Sequence, residues 1–196
     1  MQHSVEFLLS VVSAAQFPAP RLPEIAFLGR SNVGKSSLLN ALAGARAARV
    51  SSTPGRTRAI NFFSVSNRQR VPKMVFADLP GYGYAKISKS ISATWPAFIE
   101  PYLAERATLA LCVCLVDANV PPRDNDRQLF DWLRARDRAF LAVATKVDRS
   151  SGNQRVRSLV ALQRDLGLDE ILPVSAKTRD GIPDLWRRIA KAAAME

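Results

Sequence analysis

The stretch Gly29-Arg30-Ser31-Asn32-Val33-Gly34-Lys35-Ser36 constrains this chain more than any other. It follows the apolar run Ile25-Ala26-Phe27-Leu28 and precedes the helix-prone Ser37-Leu38-Leu39-Asn40-Ala41-Leu42. A strand, a glycine-bounded loop and a helix are therefore predicted in direct succession, which is a P-loop. Its parts have separate physical tasks. Gly29 and Gly34 permit turns that aim backbone N–H groups at phosphate oxygens, Lys35 reaches the β- and γ-phosphates, and Ser36 offers a hydroxyl to Mg²⁺. A chance glycine loop with a lysine would need neither this spacing nor these flanking elements.

After that helix, which should end near Gly44, Arg49 to Arg58 has so little apolar content that it predicts a mobile loop. Two β-like runs follow, Ala59 to Val65 and Lys73 to Ala77, joined by the polar Ser66-Asn67-Arg68-Gln69-Arg70. They predict a hairpin whose first strand lies antiparallel at the sheet edge. The second run leads into Asp78-Leu79-Pro80-Gly81-Tyr82-Gly83-Tyr84. An acidic residue at a strand's end, followed by a glycine turn, is the arrangement that holds Mg²⁺ and senses the γ-phosphate in P-loop nucleotidases.

From Ile87 to about Arg106 the pattern is helical, except that Pro96 and Pro101 should kink or end it. Strands are then predicted at Leu109–Asp117, Phe140–Thr145 and Ile171–Val174, and helices at Asp124–Arg136, Asn153–Leu166 and Ile182–Ala194. This alternation predicts an α/β fold: a mainly parallel sheet covered on both faces, with the ligand at the carboxyl ends of the strands. Residues 1–22 read as an extension packed on the domain and ending in a Pro-rich turn, and 23–196 as one domain. His3, the single histidine, is expected to be a mobile side chain near the terminus.

With 196 residues, 47% of them hydrophobic and 23% charged, one well-buried core is the default. No apolar run approaches the roughly 20 residues that span a bilayer, and the start lacks a basic region ahead of an apolar one. The expectation is a cytoplasmic protein with no membrane partner. Cys112 and Cys114 alternate along an apolar strand and should share one face as buried reduced thiols, since residues that close on one strand rarely form a disulfide or a zinc site. The formal net charge is +11, and from Ile25 to Ala77 there is no Asp or Glu, while Arg30, Lys35, Arg46, Arg49, Arg56, Arg58, Arg68, Arg70 and Lys73 fall within that stretch. This is either a solvated basic face or the footprint of a polyanion. RNA is favoured, and no DNA is expected.

The P-loop alone leaves ATP and GTP equally open. Thr145-Lys146-Val147-Asp148, at the end of a predicted strand, favours GTP. A carboxylate such as Asp148 can accept from both the ring N1–H and the exocyclic amine of guanine, a pair adenine does not offer, and the Lys146 stem can lie over the base. Val174-Ser175-Ala176-Lys177, after the last strand, completes the set, because the N–H groups of Ser175 and Ala176 can meet the guanine carbonyl.

The order GRSNVGKSS, TPGRTRAINFF, DLPGYGYA, TKVD and VSAK resembles the EngB family of bacterial GTPases, from about Leu22 to the last helix. TPGRT followed by INFF and the DLPGYGYA loop are the most specific parts. The resemblance implies a Ras-like G domain of the P-loop NTPase class, in three layers, with a six-stranded mainly parallel sheet and one antiparallel edge strand. It implies GTP/GDP and Mg²⁺ as ligands, the metal on Ser36 and Thr57. Nucleotide contacts would come from Gly29, Arg30, Ser31, Asn32, Val33, Gly34, Lys35 and Ser36, from Gly55, Arg56, Thr57, Arg58 and Ala59, and from Asp78, Leu79, Pro80 and Gly81. Thr145, Lys146, Val147 and Asp148 with Val174, Ser175 and Ala176 would hold the base. It further implies a monomer that acts in assembly of the large ribosomal subunit, with rRNA and ribosomal proteins as partners, and a link to cell division and septation. Lys35, Asn32, Thr57 and Gly81 are the expected catalytic set. Where related GTPases place a water-orienting glutamine stands Tyr82, so intrinsic turnover should be slow. Either a ribosomal partner supplies the missing group or Asn32 helps hold K⁺ beside the phosphates. Two other readings stay open: a tRNA-modification or ion-transport GTPase domain, and a nucleotide-dependent binding module that hardly hydrolyses GTP.

Overall fold

The computed structural model describes residues 3–44, 59–82 and 97–194. The expectations for Arg46, Arg49, Gly55, Arg56, Thr57, Arg58, Gly83 and Tyr84, and for most of the helix from Ile87, lie outside those residues. Within them the elements run β1 (Ser4–Val11), β2 (Glu24–Gly29), α1 (Lys35–Ala43), β3 (Ile60–Ser66), β4 (Pro72–Asp78), α2 (Ile99–Glu105), β5 (Leu109–Asp117), α3 (Asp124–Ala135), β6 (Phe140–Thr145), α4 (Gly152–Leu166), β7 (Leu172–Pro173) and α5 (Ile182–Ala194). None of these helices is long and apolar enough to cross a membrane.

The strands form one sheet in the order β1-β3-β4-β2-β5-β6-β7. All of β2 is buried, and it pairs in parallel with β4 on one side and β5 on the other. Strand alternation then sorts its side chains to two faces. Ile25 and Phe27 join Leu38 and Leu42 of α1 and Leu185 and Ile189 of α5 in one core. Ala26 and Leu28 join Leu103 of α2, Leu129 and Phe130 of α3, and Leu162 of α4 in the other. Cys112 and Cys114 share that second face as expected, free and buried, and burial pushes the Cys112 thiol up to about 12.

Two expectations about the sheet need correction. It has seven strands rather than six, and the antiparallel β3 is not at the edge but lies between β4 and β1, antiparallel to both. The edge is β1, a strand that the sequence reading did not predict within the N-terminal extension. The reason is a bulge. The register shifts between Phe7 and Leu9, so the side-chain parity flips at Leu8. Val5 packs toward one core while Leu9 and Val11 reach the other, and no single alternating pattern spans the strand. His3 is also placed differently: its ring stacks on Trp186 with centroids 4.5 Å apart, and burial lowers its pKa.

The acid-free stretch does not form one surface. Asn67 Oδ1 accepts from the Gln69 and Val71 N–H groups at 3.1 and 2.9 Å, which closes the β3–β4 turn with Arg68 and Arg70 exposed. That turn is at the opposite end of β4 from Asp78, roughly 20 Å along the strand.

At the amino end of β2 the buried Glu24 gathers four elements. Its carboxylate accepts from Arg106 Nε at 2.8 Å, Tyr102 OH at 2.8 Å and Thr108 Oγ1 at 2.8 Å, while Arg106 also donates to the Pro18 carbonyl at 2.6 Å. Removing one partner of a buried ion pair leaves the other charge uncompensated. Arg106→Ala should therefore lower unfolding free energy by about 3–5 kcal/mol, read as a shift in urea midpoint, whereas replacing Glu24 and Arg106 together by apolar residues should cost less than the sum of the single changes.

Candidate nucleotide-binding site

Parallel pairing brings the carboxyl ends of four strands to one rim: Phe27 lies beside Asp78, Gly29 beside Leu115, and Asp117 beside Thr145. From that rim the chain turns into the P-loop. A Cβ at Gly29 would lie 2.7 Å from Val33 Cγ1 and 3.1 Å from the Leu115 carbonyl oxygen, so the loop can fold back on β2 only because this residue has no side chain. Asn32 is left-handed at φ 64°, the Val33 N–H donates to the Arg30 carbonyl at 3.2 Å, and α1 begins at Lys35 with Gly34 before it. A glycine cannot cap a helix with its side chain, so the first-turn N–H groups are presented to an anion. The Lys35 ammonium contacts Asp78 Oδ1, both side chains being largely buried. A cation and a carboxylate thus sit together at the start of α1, and Ser36 follows Lys35 directly.

The base side is built onto the same loop. Thr145 Oγ1 donates to the Val33 carbonyl at 2.6 Å, with the Val116 carbonyl at 3.1 Å also in reach. Lys146, left-handed at φ 60°, donates to the Asn32 carbonyl and to Asp117 Oδ2, each at 2.7 Å. Burial alone would raise the Asp117 pKa, but hydrogen bonds from Lys146 and Asn119 outweigh it and hold the carboxyl below its ordinary value. Asp148 is exposed, and its Oδ1 accepts from Ser175 Oγ at 2.6 Å. That bond lowers its pKa, so the group is an ionised acceptor. Gly34, Leu38, Thr145, Lys146, Asp148, Val174 and Ala176 line a cleft of about 320 Å³ here, the size class of a small-ligand pocket.

One expectation about Ser175 is corrected. Its N–H donates to the Asp180 carbonyl at 2.9 Å, because the turn into α5 closes through it, so the buried Ser175 orients Asp148 by its hydroxyl rather than meeting a base carbonyl. Leu79 and Pro80 are buried and Gly81 half-buried beside the P-loop, and Val147 is buried beneath the base loop. Tyr82 does not face the phosphate side at all: it is 1% exposed within the core. Sequence reasoning missed Asp117 and Asn119, which hold Lys146 and its carbonyl in place. The available signal was an acid at the end of β5, matching Asp78 at the end of β4.

The comparisons agree with this geometry. A family described as "50S ribosome-binding GTPase" matches residues 24–146. The chain is 58% identical over 196 residues to the "Probable GTP-binding protein EngB" of Acidobacterium capsulatum, covering 99% of this chain and 93% of that one. It is 52% identical over 197 residues to the protein of the same name from Koribacter versatilis, covering 100% and 97%. Among solved structures, a probable GTP-binding protein EngB superposes with TM-score 0.70 at 25% identity, over 88% of this chain and 100% of that chain.

If guanine donates two hydrogen bonds to the ionised Asp148, as its chemistry allows, a specific loss is expected. Asp148→Ala should weaken guanine-nucleotide binding about 100-fold, an effect of about 3 kcal/mol, and leave the weak binding of ATP unchanged, as read by fluorescent-nucleotide titration. Equal losses for both purines would mean that Asp148 does not read the base.

Proposed function

We propose that this chain, which belongs to the EngB family of GTP-binding proteins and hydrolyses GTP, is a slow nucleotide-dependent switch in assembly of the large ribosomal subunit. The cytoplasm is its place of action, rRNA and ribosomal proteins of the large subunit or its precursor are its partners, and a failure of assembly is its route to defects in cell division and septation. The observation that carries the reading is a guanine-reading carboxylate, oriented by Ser175, on the same rim as a P-loop, in a chain whose family is described by ribosome binding.

The chemistry is direct attack of water on the γ-phosphate. The Lys35 ammonium and the N–H groups at the start of α1 counter the charge that grows on the phosphoryl oxygens, and the fixed cleft supplies position. With Mg²⁺ bound alongside the nucleotide, the site would gain further charge compensation at the phosphates. The Ser36 hydroxyl and the Asp78 carboxylate are the hard oxygen donors that would hold such an ion, and the family resemblance would add Thr57, which lies outside the described residues. Tyr82 is buried in the core, so it does not orient the attacking water, which supports slow intrinsic turnover. Asn32, exposed and with its carbonyl held by Lys146, is the residue we assign to a K⁺ beside the phosphates.

GTP orders the loops around Thr57 and Asp78, and hydrolysis releases them, so a surface made of those loops exists in one nucleotide state. The arginines divide accordingly. Arg56 and Arg58 adjoin Thr57 and would carry nucleotide-dependent contact; Arg68 and Arg70, at the far end of β4, would add salt-sensitive contact in either state.

Large-subunit particles should co-sediment with the protein better in a non-hydrolysable GTP analogue than in GDP, and Arg68→Ala with Arg70→Ala should weaken both forms alike; equal sedimentation in the two nucleotides would overturn the switch. Depletion of the protein should accumulate a large-subunit precursor on sucrose gradients. Hydrolysis should run faster in K⁺ than in Na⁺, the difference vanishing in Asn32→Ala, and equal rates in both salts would remove the cation.

A further inference from the structure

Behind the P-loop lies a buried polar cluster that the chemistry above does not use. Asp126, the third residue of α3, is fully buried. Its Oδ1 accepts from Tyr82 OH at 3.0 Å, its Oδ2 accepts from the Arg123 N–H at 2.8 Å, and Arg30 Nε lies 3.2 Å from Oδ2 as an ion pair. Burial first, and the neighbouring Asp126 carboxylate second, raise the Tyr82 pKa well above its ordinary value, so the phenol is a hydrogen-bond donor at any physiological pH.

The plain reading is a helix cap. An acid at this position commonly accepts from the backbone N–H at the helix start, and the Arg123 bond does that. Capping, however, needs neither full burial nor a tyrosine and an arginine from two other segments, and a carboxylate taken out of water is costly unless several donors meet it. The hydroxyl that donates and the guanidinium that pairs with the charge come from chain segments that already touch. Arg30 and Tyr82 form an isolated parallel bridge, and the Ser31 N–H donates to the Tyr82 carbonyl at 3.3 Å. Between them Gly81 is pressed so close that a Cβ there would lie 2.9 Å from Ser31 N and 3.0 Å from Ser31 Oγ. Asp126 therefore clamps the first residues of the P-loop and the turn after Asp78 from the core side, one residue away from Gly81.

We propose that Asp126 and Tyr82 are positioning residues for GTP hydrolysis: the buried Tyr82–Asp126–Arg30 network sets Gly81 against the P-loop and so holds the γ-phosphate-sensing turn at its working distance. Tyr82 thus replaces the usual glutamine in position but not in role. Its side chain anchors the turn from behind and does not touch the reacting water. GDP has no γ-phosphate for that turn to meet, so loosening the anchor should act on the triphosphate and on turnover and spare the diphosphate. The proposal concerns intrinsic hydrolysis and is independent of the ribosomal partner.

The test uses the full chain without ribosomal particles and compares Tyr82→Phe, Asp126→Asn and Arg106→Ala. Single-turnover kcat, KM, affinities for GDP and for a non-hydrolysable GTP analogue, and Tm are measured for each. Tyr82→Phe removes one hydroxyl and keeps the ring in the core. It should lower kcat about ten- to hundredfold, the scale of a misplaced reacting group, and reduce the preference for the analogue over GDP, with GDP affinity within about twofold of the parent. Asp126→Asn, whose amide oxygen can still accept from Tyr82 but cannot pair with Arg30 as a charge, should fall between. Arg106→Ala should lower Tm with kcat unchanged. If Tyr82→Phe behaves like Arg106→Ala, with kcat and the analogue-to-GDP ratio intact, Asp126 is only a helix cap and the proposal is wrong. If Asp126→Asn does not fold, Tyr82→Phe decides alone.

Discussion

Two side chains of one loop hold the backbone of another, and the nucleotide site depends on that contact. Thr145 and Lys146, at the end of β6, donate to the carbonyls of Val33 and Asn32. The phosphate half and the base half of the cleft are therefore joined by hydrogen bonds between segments more than a hundred residues apart in sequence. Because Lys146 is itself anchored by Asp117 at the end of β5, three adjacent strands share one rigid rim. A guanine held at Asp148 would consequently have its phosphates near Lys35 without a further conformational search, which is how a pre-formed site turns binding energy into position.

Charge is handled differently at the two ends of the sheet. At the carboxyl rim Lys35 and Asp78 face each other, and under the proposed function each would find another partner when nucleotide binds, so their mutual contact is exchangeable. At the amino end Glu24 is enclosed by Arg106, Tyr102 and Thr108, and nothing in the chemistry calls on it. Asp126 stands between these cases. It is as buried as Glu24, yet besides the Arg123 N–H its partners, the Tyr82 hydroxyl and the Arg30 cation, come from the P-loop and the turn after Asp78, so a single carboxylate connects the packing of α3 to the turn that carries Gly81.

Much of the fold was legible because buried parallel strands are written as continuous apolar runs. Leu109–Asp117 and Phe140–Thr145 are found where the sequence reading puts them, and α5 begins and ends at Ile182 and Ala194 as expected. The edge strand β1 was not legible, since its bulge sends Val5 and Leu9 to opposite faces and a strand read by strict alternation disappears. The P-loop, Asp78 and Asp148 were legible as a site because local spacing encodes them. Asp126 was not: in Asp124-Asn125-Asp126 nothing local distinguishes a solvated acid from one enclosed by residues 30 and 82.

By itself, then, the sequence determined the strand-loop-helix, the order of alternating elements and the chemical identity of the groups gathered at the carboxyl rim, because these follow from periodicities and spacings within a few residues. Only the tertiary structure decided which groups are free to act. It committed the Ser175 N–H to Asp180, carried Arg68 and Arg70 to the end of β4 away from Asp78 and the P-loop, and turned Tyr82 into the core. The reason is physical: hydrogen-bond capacity and solvent access are shared out among all neighbours in space, and those neighbours are assigned when the sheet assembles, not by the order of residues along the chain.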